Sequence, residues 1–435
     1  VYVDGSYRLE WAKSFQQFVG GGDYKSFDYY SAGVNVLVDK FLPRIDWLNQ
    51  LKWRGSYSVV GNPIPNTMFG RQTINFSTGV VEARPELFDD PKPETTTSFE
   101  TGLDVWMFNN KFNFDFTYYN STLRDQFMYV TTANGRSKPV NTGKIRNYGL
   151  EFSAGYRWAI NRDWSWQTNF NVAWNDNKIL ETYKTESGAP YVVEMGPNAF
   201  HIKYIEGGKY GDIYVNSFAR NEDGTIQMTG VNRDGSIDYE TAAPVMATGK
   251  YETYVGNTTS PVTLGWNNTL SWRNLTLYFL IDGRIGGKVM SLTEPDLDMF
   301  GLSERSAEAR LNGRKHVDPK TGKEYTLIAL PDGSGREVSV ENYFSTIGSL
   351  PMEDHVYNAT NFRMRDISLS YTFPNLFGDN RALTAQFSVK NAFFLYKDSP
   401  VDPDISVSAA NGYSGIDCYA LPTTRSYALT LKLNF

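Results

Sequence analysis

At 435 residues the chain has room for about two or three soluble domains, but 28 Tyr, 27 Phe and 10 Trp accompany a mean hydropathy of -0.43. So many rings in so polar a sequence suit a surface that is apolar on one face, wet on the other and aromatic at two interfaces. The net charge of -6 excludes the basic footprint of a nucleic-acid binder, and no apolar run reaches the roughly 18 residues of a membrane helix.

The chain opens at Val1 inside what already reads as a strand, so its start is expected to be a boundary within a longer protein. Strands are predicted at roughly 1–13, 27–39, 50–61, 96–109, 111–130, 143–161, 164–181, 260–273, 274–286, 359–373, 381–395 and 423–435, about thirteen with a less secure one within 200–230. That extra strand or hairpin is expected to belong to a loop. The signal is period-two alternation, which sends successive side chains to opposite faces. Phe112, Phe114, Phe116 and Tyr118 alternate with Asn113, Asp115 and Thr117. Trp164, Trp166, Phe170, Val172 and Trp174 alternate with Ser165, Gln167, Asn169, Asn171 and Asn175. At the end, Tyr427, Leu429, Leu431, Leu433 and Phe435 alternate with Ser426, Thr430, Lys432 and Asn434. One helix is predicted, from Ser303 as its cap to Leu311, closing at Asn312-Gly313 inside a long loop.

The connections decide what the alternation means. Short links lie near Asn109-Asn110, Asn161-Asp163, Arg273-Asn274 and Pro374-Asn380, and long ones over about 62–95, 182–259, 287–358 and 396–422. A sandwich scatters its loop lengths, whereas an outer-membrane barrel has tight periplasmic turns below and long extracellular loops above. Phe108, Trp164, Trp272, Phe373 and Phe435 fall at the short-turn ends, where an interfacial girdle belongs. Tyr427 and Phe435 together make the terminal aromatic pattern read as a barrel-assembly signal, and they place the C-terminus in the periplasm.

Specific strings carry a family resemblance. The run from Lys92 to Asp104, followed by Phe108-Asn109-Asn110-Lys111 and Tyr118-Tyr119, resembles a strand pair of TonB-dependent receptors. Leu51 to Tyr57, Asn147-Tyr148-Gly149-Leu150-Glu151, Arg365 to Pro374, Lys390-Asn391-Ala392-Phe393, Asp402-Pro403-Asp404 and Gly415-Ile416-Asp417 with Pro422 and Arg425 are similar to the SusC/RagA-like transporters of Bacteroidota. The resemblance implies an all-β fold, the C-terminal part of a transmembrane antiparallel barrel of about 22 strands, with the plug domain and TonB box outside this sequence. It also implies TonB-dependent import of oligosaccharides or peptides, a SusD-like surface lipoprotein as partner, and no enzymatic chemistry. The departure is at Asn232-Arg233-Asp234-Gly235-Ser236-Ile237-Asp238, where the family often has an Asp-Gly-Asp-Gly run.

The remaining constellations are modest. Asn232, Asp234 and Asp238 alternate like a calcium loop, yet counting Gly235 as the sixth residue puts Gly230 and Thr241 where an EF-hand needs its first acid and its Glu. A hairpin turn is the stronger reading, with a looser Ca2+ site in an extracellular loop as the alternative; no other cofactor is expected. His201, His316 and His355 lack the spacing of a zinc site or triad, and no phosphate, dinucleotide or nucleophile motif occurs. Asp104 and Asp115 are expected to line the lumen and pair with lumen Lys or Arg, and Cys418 to be an ordinary loop residue. Among the loop tyrosines, Tyr413 and Tyr419 beside Asp417 are the ligand candidates, since rings stack on sugars while polar neighbours bond their hydroxyls. A passive porin-like channel and a secreted β-rich binding protein or adhesin are the rival functions.

Overall fold

The computed structural model describes residues 1–11, 26–62, 92–131, 137–196, 199–247, 251–348, 353–376, 381–406 and 414–434. Most of the loop expected over 62–95 lies outside these, as do Tyr413 and Phe435. Twelve strands among the described residues form one antiparallel sheet whose order follows the order of those twelve along the chain. They are β1 (Tyr2–Trp11), β2 (Ser26–Leu37), β3 (Leu48–Asn62), β4 (Glu94–Met107), β5 (Phe112–Arg124), β6 (Lys144–Ala159), β7 (Trp164–Glu181), β8 (Val262–Trp272), β9 (Leu275–Ile285), β10 (Asn361–Phe373), β11 (Ala382–Lys397) and β12 (Ser426–Asn434).

Register carries the alternation across the wall. One row of paired residues runs Trp53, Leu103, Phe116, Phe152, Val172, Leu264. The next row runs Arg54, Gly102, Thr117, Glu151, Ala173, Thr263. A slip of one residue in any strand would mix these rows, so the pattern fixes the pairing. The apolar face is open: Phe170, Trp266, Leu369, Phe387 and Leu429 are all exposed. In water such a surface would associate or aggregate, whereas it is the ordinary outer face of a membrane barrel. No helix is long and apolar enough to cross a membrane, among the residues searched.

Tight turns close one end of the wall. Phe108, Asn109 and Asn110 turn with φ of 56°, 57° and 61°, and the Phe108 and Trp47 rings lie 6.2 Å apart. Trp164 and Trp272, the first and last residues of β7 and β8, stack at 5.7 Å. These rings form the aromatic rim that the sequence places at the short links.

One predicted element needs correction and one is sharpened. The strand expected over 111–130 ends at Arg124, because Asp125 adopts φ 55° and breaks the extended run; residues 127–131 pair instead with 137–141 as a separate hairpin. The segment within 200–230 is not a wall strand. Phe200–Tyr204 and Asp212–Val215 join Val193–Met195 and Thr253–Asn257 in a small sheet of their own, as the loop expectation held. The expected helix is present over Glu304–Asn312, and two further helices in the same loop carried no sequence signal strong enough to mark them.

Candidate functional site

The connections after β7, β9 and β11 all leave the same end of the wall and fold together into a cap. One apolar core joins Phe218, Ile226 and Ala242 of the first to Leu330, Val338, Phe344 and Ile347 of the second. Another gathers Phe200, Ile202, Ile213 and Val215 of the first with Met290 of the second and Ile416 of the third. Each fully buried aliphatic or Phe side chain contributes roughly 1.5–3 kcal/mol, so these cores are what orders loops of such length. The strand Lys288–Ser291 pairs antiparallel with Val356–Asn358 and parallel with Ile416–Asp417, which ties the second connection to the third.

The second connection contains α1 (Glu294–Met299), α2 (Glu304–Asn312) and α3 (Val340–Ile347). Ser303 caps α2 by accepting the Ser306 N–H, and Ser339 caps α3 by accepting from Asn342, each satisfying an orphan donor of the first turn. Between them lies a buried polar knot. The Asp298 carboxylate accepts from Ser303 at 2.6 Å, lies 2.9 Å from His355 Nε2 and pairs with Arg305. Burial pushes the Asp298 carboxyl up, but hydrogen bonds from His355, Arg305 and Ser303 outweigh it and hold the carboxyl below the usual range.

A second knot fastens the third connection to the wall. Arg363 and Arg365, two residues apart on β10, share one side of the strand, where Arg365 donates to Asp282 at 2.7 Å and to Asp404 at 2.6 Å. Arg363 is buried, pairs with Asp402 and lies 4.1 Å from the centre of the Phe394 ring. The Asp402-Pro403-Asp404 motif is therefore an anchor for the loop base.

The expected site residues separate. Asp417 is buried and accepts from the Ser291 hydroxyl at 2.8 Å, while lining a cavity of about 410 Å³ with Phe394, Val401 and Leu421. Tyr419 is exposed with φ 50°, its N–H donating to Thr293 Oγ1. Asn232, Asp234 and Asp238 sit on a tight hairpin in which Val231 bridges Ile237 and Gly235 takes φ 84°. Their side chains bond within it: Asn232 to Ser236, Asp234 from Ser236, Asp238 from Thr241. Among the described residues no group of three or more His, Cys, Asp or Glu side chains is placed to hold a metal ion. Asp115 pairs with Arg54 on the lumen face, as expected, and Tyr427 is an exposed residue of β12 opposite Val389. What sequence reasoning passed over is the place where β7 meets the cap: Asn175, Asn177, Lys209, Tyr254, Asn257 and Lys288 line one cavity. The run of asparagines along β7 was the signal available.

The family model for the TonB dependent receptor-like β-barrel matches residues 1–282. The chain belongs to the TonB-dependent receptor β-barrel family. This receptor barrel is 24% identical to the TonB-dependent receptor P3 of Formosa agariphila, over 96% of this chain and 42% of that protein. It is 22% identical to the TonB-dependent receptor SusC of Bacteroides thetaiotaomicron, over 99% of this chain and 42% of that one. The solved structure of the RagAB peptide transporter superposes with a TM-score of 0.70 at 19% identity, covering 100% of this chain and 46% of its counterpart. The receptor barrel thus spans less than half the length of the relatives it matches. Family and fold agree on the barrel wall of a TonB-dependent receptor, a family of the bacterial outer membrane, and the wall resembles those of SusC and the RagAB transporter.

Proposed function

We propose that the chain is the wall and part of the outer mouth of a SusC-like importer. It carries oligosaccharides or peptides across the outer membrane on energy delivered through TonB. The observation that carries this reading is the one-ended build of the molecule: apolar rows facing outward, polar rows inward, and three long connections gathered into a cap at a single end. The cap faces the extracellular side and the tight turns and C-terminus face the periplasm. A SusD-like surface lipoprotein closes over the cap, and segments beyond this chain supply the plug and the contact with TonB. The chain contributes passage and recognition, and the chemical work of transport is done elsewhere. Within the mouth the exposed Tyr419 offers its ring to a ligand, Tyr413 is the second candidate, and Ca2+ at Asn232, Asp234 and Asp238 would serve only to stiffen a loop.

The test is uptake of labelled oligosaccharide and peptide mixtures by the source bacterium, with the gene intact, deleted, or intact in cells lacking TonB. Loss of the same uptake in both mutants is the expected result. Uptake that needs the gene but survives loss of TonB would make the protein a passive channel.

A further inference from the structure

Where β7 runs into the cap, a cavity of about 210 Å³ is lined by Asn175, Asp176, Lys209, Tyr254, Thr259 and Lys288, among others. Three parts of the chain converge on it: the end of a wall strand, the first long connection and the start of the second. Nothing in the transport reading assigns it a role.

The charges around it are mostly spent. Lys209 pairs with Asp176 at 2.7 Å. Asp212, in the small cap sheet, accepts from the Lys209 backbone N–H, the Asn257 amide and the Tyr254 hydroxyl. Burial, with Asp212 beside it, pushes the Tyr254 hydroxyl up to about 12, so it stays protonated. Lys288 differs: among the described residues its ammonium has neither ion pair nor hydrogen bond, although the residue is half-buried. Its stem is seated deliberately by the fold. It lies against Gly256, where an added Cβ would come 2.6 Å from Lys288 Cγ and where φ is 125°, so glycine is required twice over. A cation seated at a cavity with no partner of its own is free to form a charge-assisted hydrogen bond to an incoming anion.

The other groups suit hydroxyls. Asn175 donates to the Tyr119 hydroxyl, leaving its amide oxygen open, and the Thr259 hydroxyl is exposed nearby. About half of Tyr254 is exposed (53%), enough for a sugar ring to lie against its face.

We propose that this pocket is a recognition subsite for an acidic oligosaccharide, with Lys288 binding a carboxylate or sulfate on the sugar and Asn175, Thr259 and Tyr254 binding the ring that bears it. The proposal rests on the importer reading and narrows its cargo. The full-length protein, purified in detergent, is titrated with fluorescent hexasaccharides of three kinds, neutral, uronate-bearing and sulfated, and with a length-matched peptide. One acidic set should bind best, and which one identifies the anion. Lys288→Ala should weaken that binding about tenfold or more and Lys288→Arg much less. Heat-modifiable migration of both variants checks folding. Preference for the neutral sugar or the peptide, no binding by either acidic set, or unchanged binding by Lys288→Ala overturns the proposal. Since TonB-dependent uptake is measured separately, a neutral or peptide cargo would leave the importer reading standing.

Discussion

Arg54 on β3 reaches across β4 to grip Asp115 on β5 with two hydrogen bonds, of 2.5 and 2.8 Å. The residue it crosses is Gly102, its register partner. A Cβ there would come 2.7 Å from the Phe116 carbonyl oxygen and 3.0 Å from the guanidinium carbon. Three strands are thereby pinned in register on the lumen face.

That arrangement predicts an order of effects. Both ionic side chains remain about one-third exposed (33% and 35%), so Arg54→Ala should cost only about 1 kcal/mol. Gly102→Leu displaces the arginine and collides with backbone, and should cost roughly 1–3 kcal/mol. The temperature at which the heat-modifiable band shifts should fall more for Gly102→Leu than for Arg54→Ala. Equal shifts would mean that the glycine is incidental.

The two faces of β12 should respond oppositely to charge. Leu431 pairs with Ala385 in an outward row and Thr430 with Gln386 in an inward one. Leu431→Arg should cost about 2–4 kcal/mol near the membrane midplane and reduce the protein found in the outer membrane. Thr430→Arg should insert normally. Similar insertion by both would refute the assignment of faces.

The cap should come apart before the wall does. Ile347 is fully buried in the core that joins the first and second connections. Ile347→Ala should remove roughly 2–5 kcal/mol from that core. Limited proteolysis should then cut within 182–259 and 287–358 while the strands stay protected. Cleavage throughout the chain would show that cap and wall unfold as one.

Acid should loosen the cap as well. The Asp298 carboxyl is held below its ordinary value, so its contribution is complete above the unfolded carboxylate pKa and is lost as pH falls through the lower folded value. Protease resistance of the cap should therefore decline below about pH 4. Asp332 and Asp402 are shifted the same way, so Asp298→Asn should flatten this decline without abolishing it, and weaken the cap at neutral pH. A cap equally resistant at pH 3 and pH 6 would contradict the role given to the knot.

The wall was legible in the sequence because its information is local: Trp164 to Asn175 and Tyr427 to Asn434 declare their faces two residues at a time. The α2 helix was legible for the same reason, since Ser303 caps it from within three residues. The cap was not, because its partners are remote. Asp417 looked like a free ligand group until its bond to Ser291, 126 residues away, was in view. Lys288 drew no notice, because its setting is made by Gly256, Asn175 and Tyr254 on other segments. Asp402 and Asp404 stood out as a family motif, but their task needed Arg363 and Arg365 on a bulged strand.

The most direct test of the barrel wall uses two neighbours on β7, Phe170 in an outward row and Asn171 in an inward one. Each is changed to cysteine in the full-length protein with Cys418 replaced by serine, labelled with bimane and reconstituted in bilayers containing brominated lipid. Bimane at position 170 should be strongly quenched and bimane at 171 should not. Equal quenching at both positions, or none at either, would contradict a lipid-facing barrel wall.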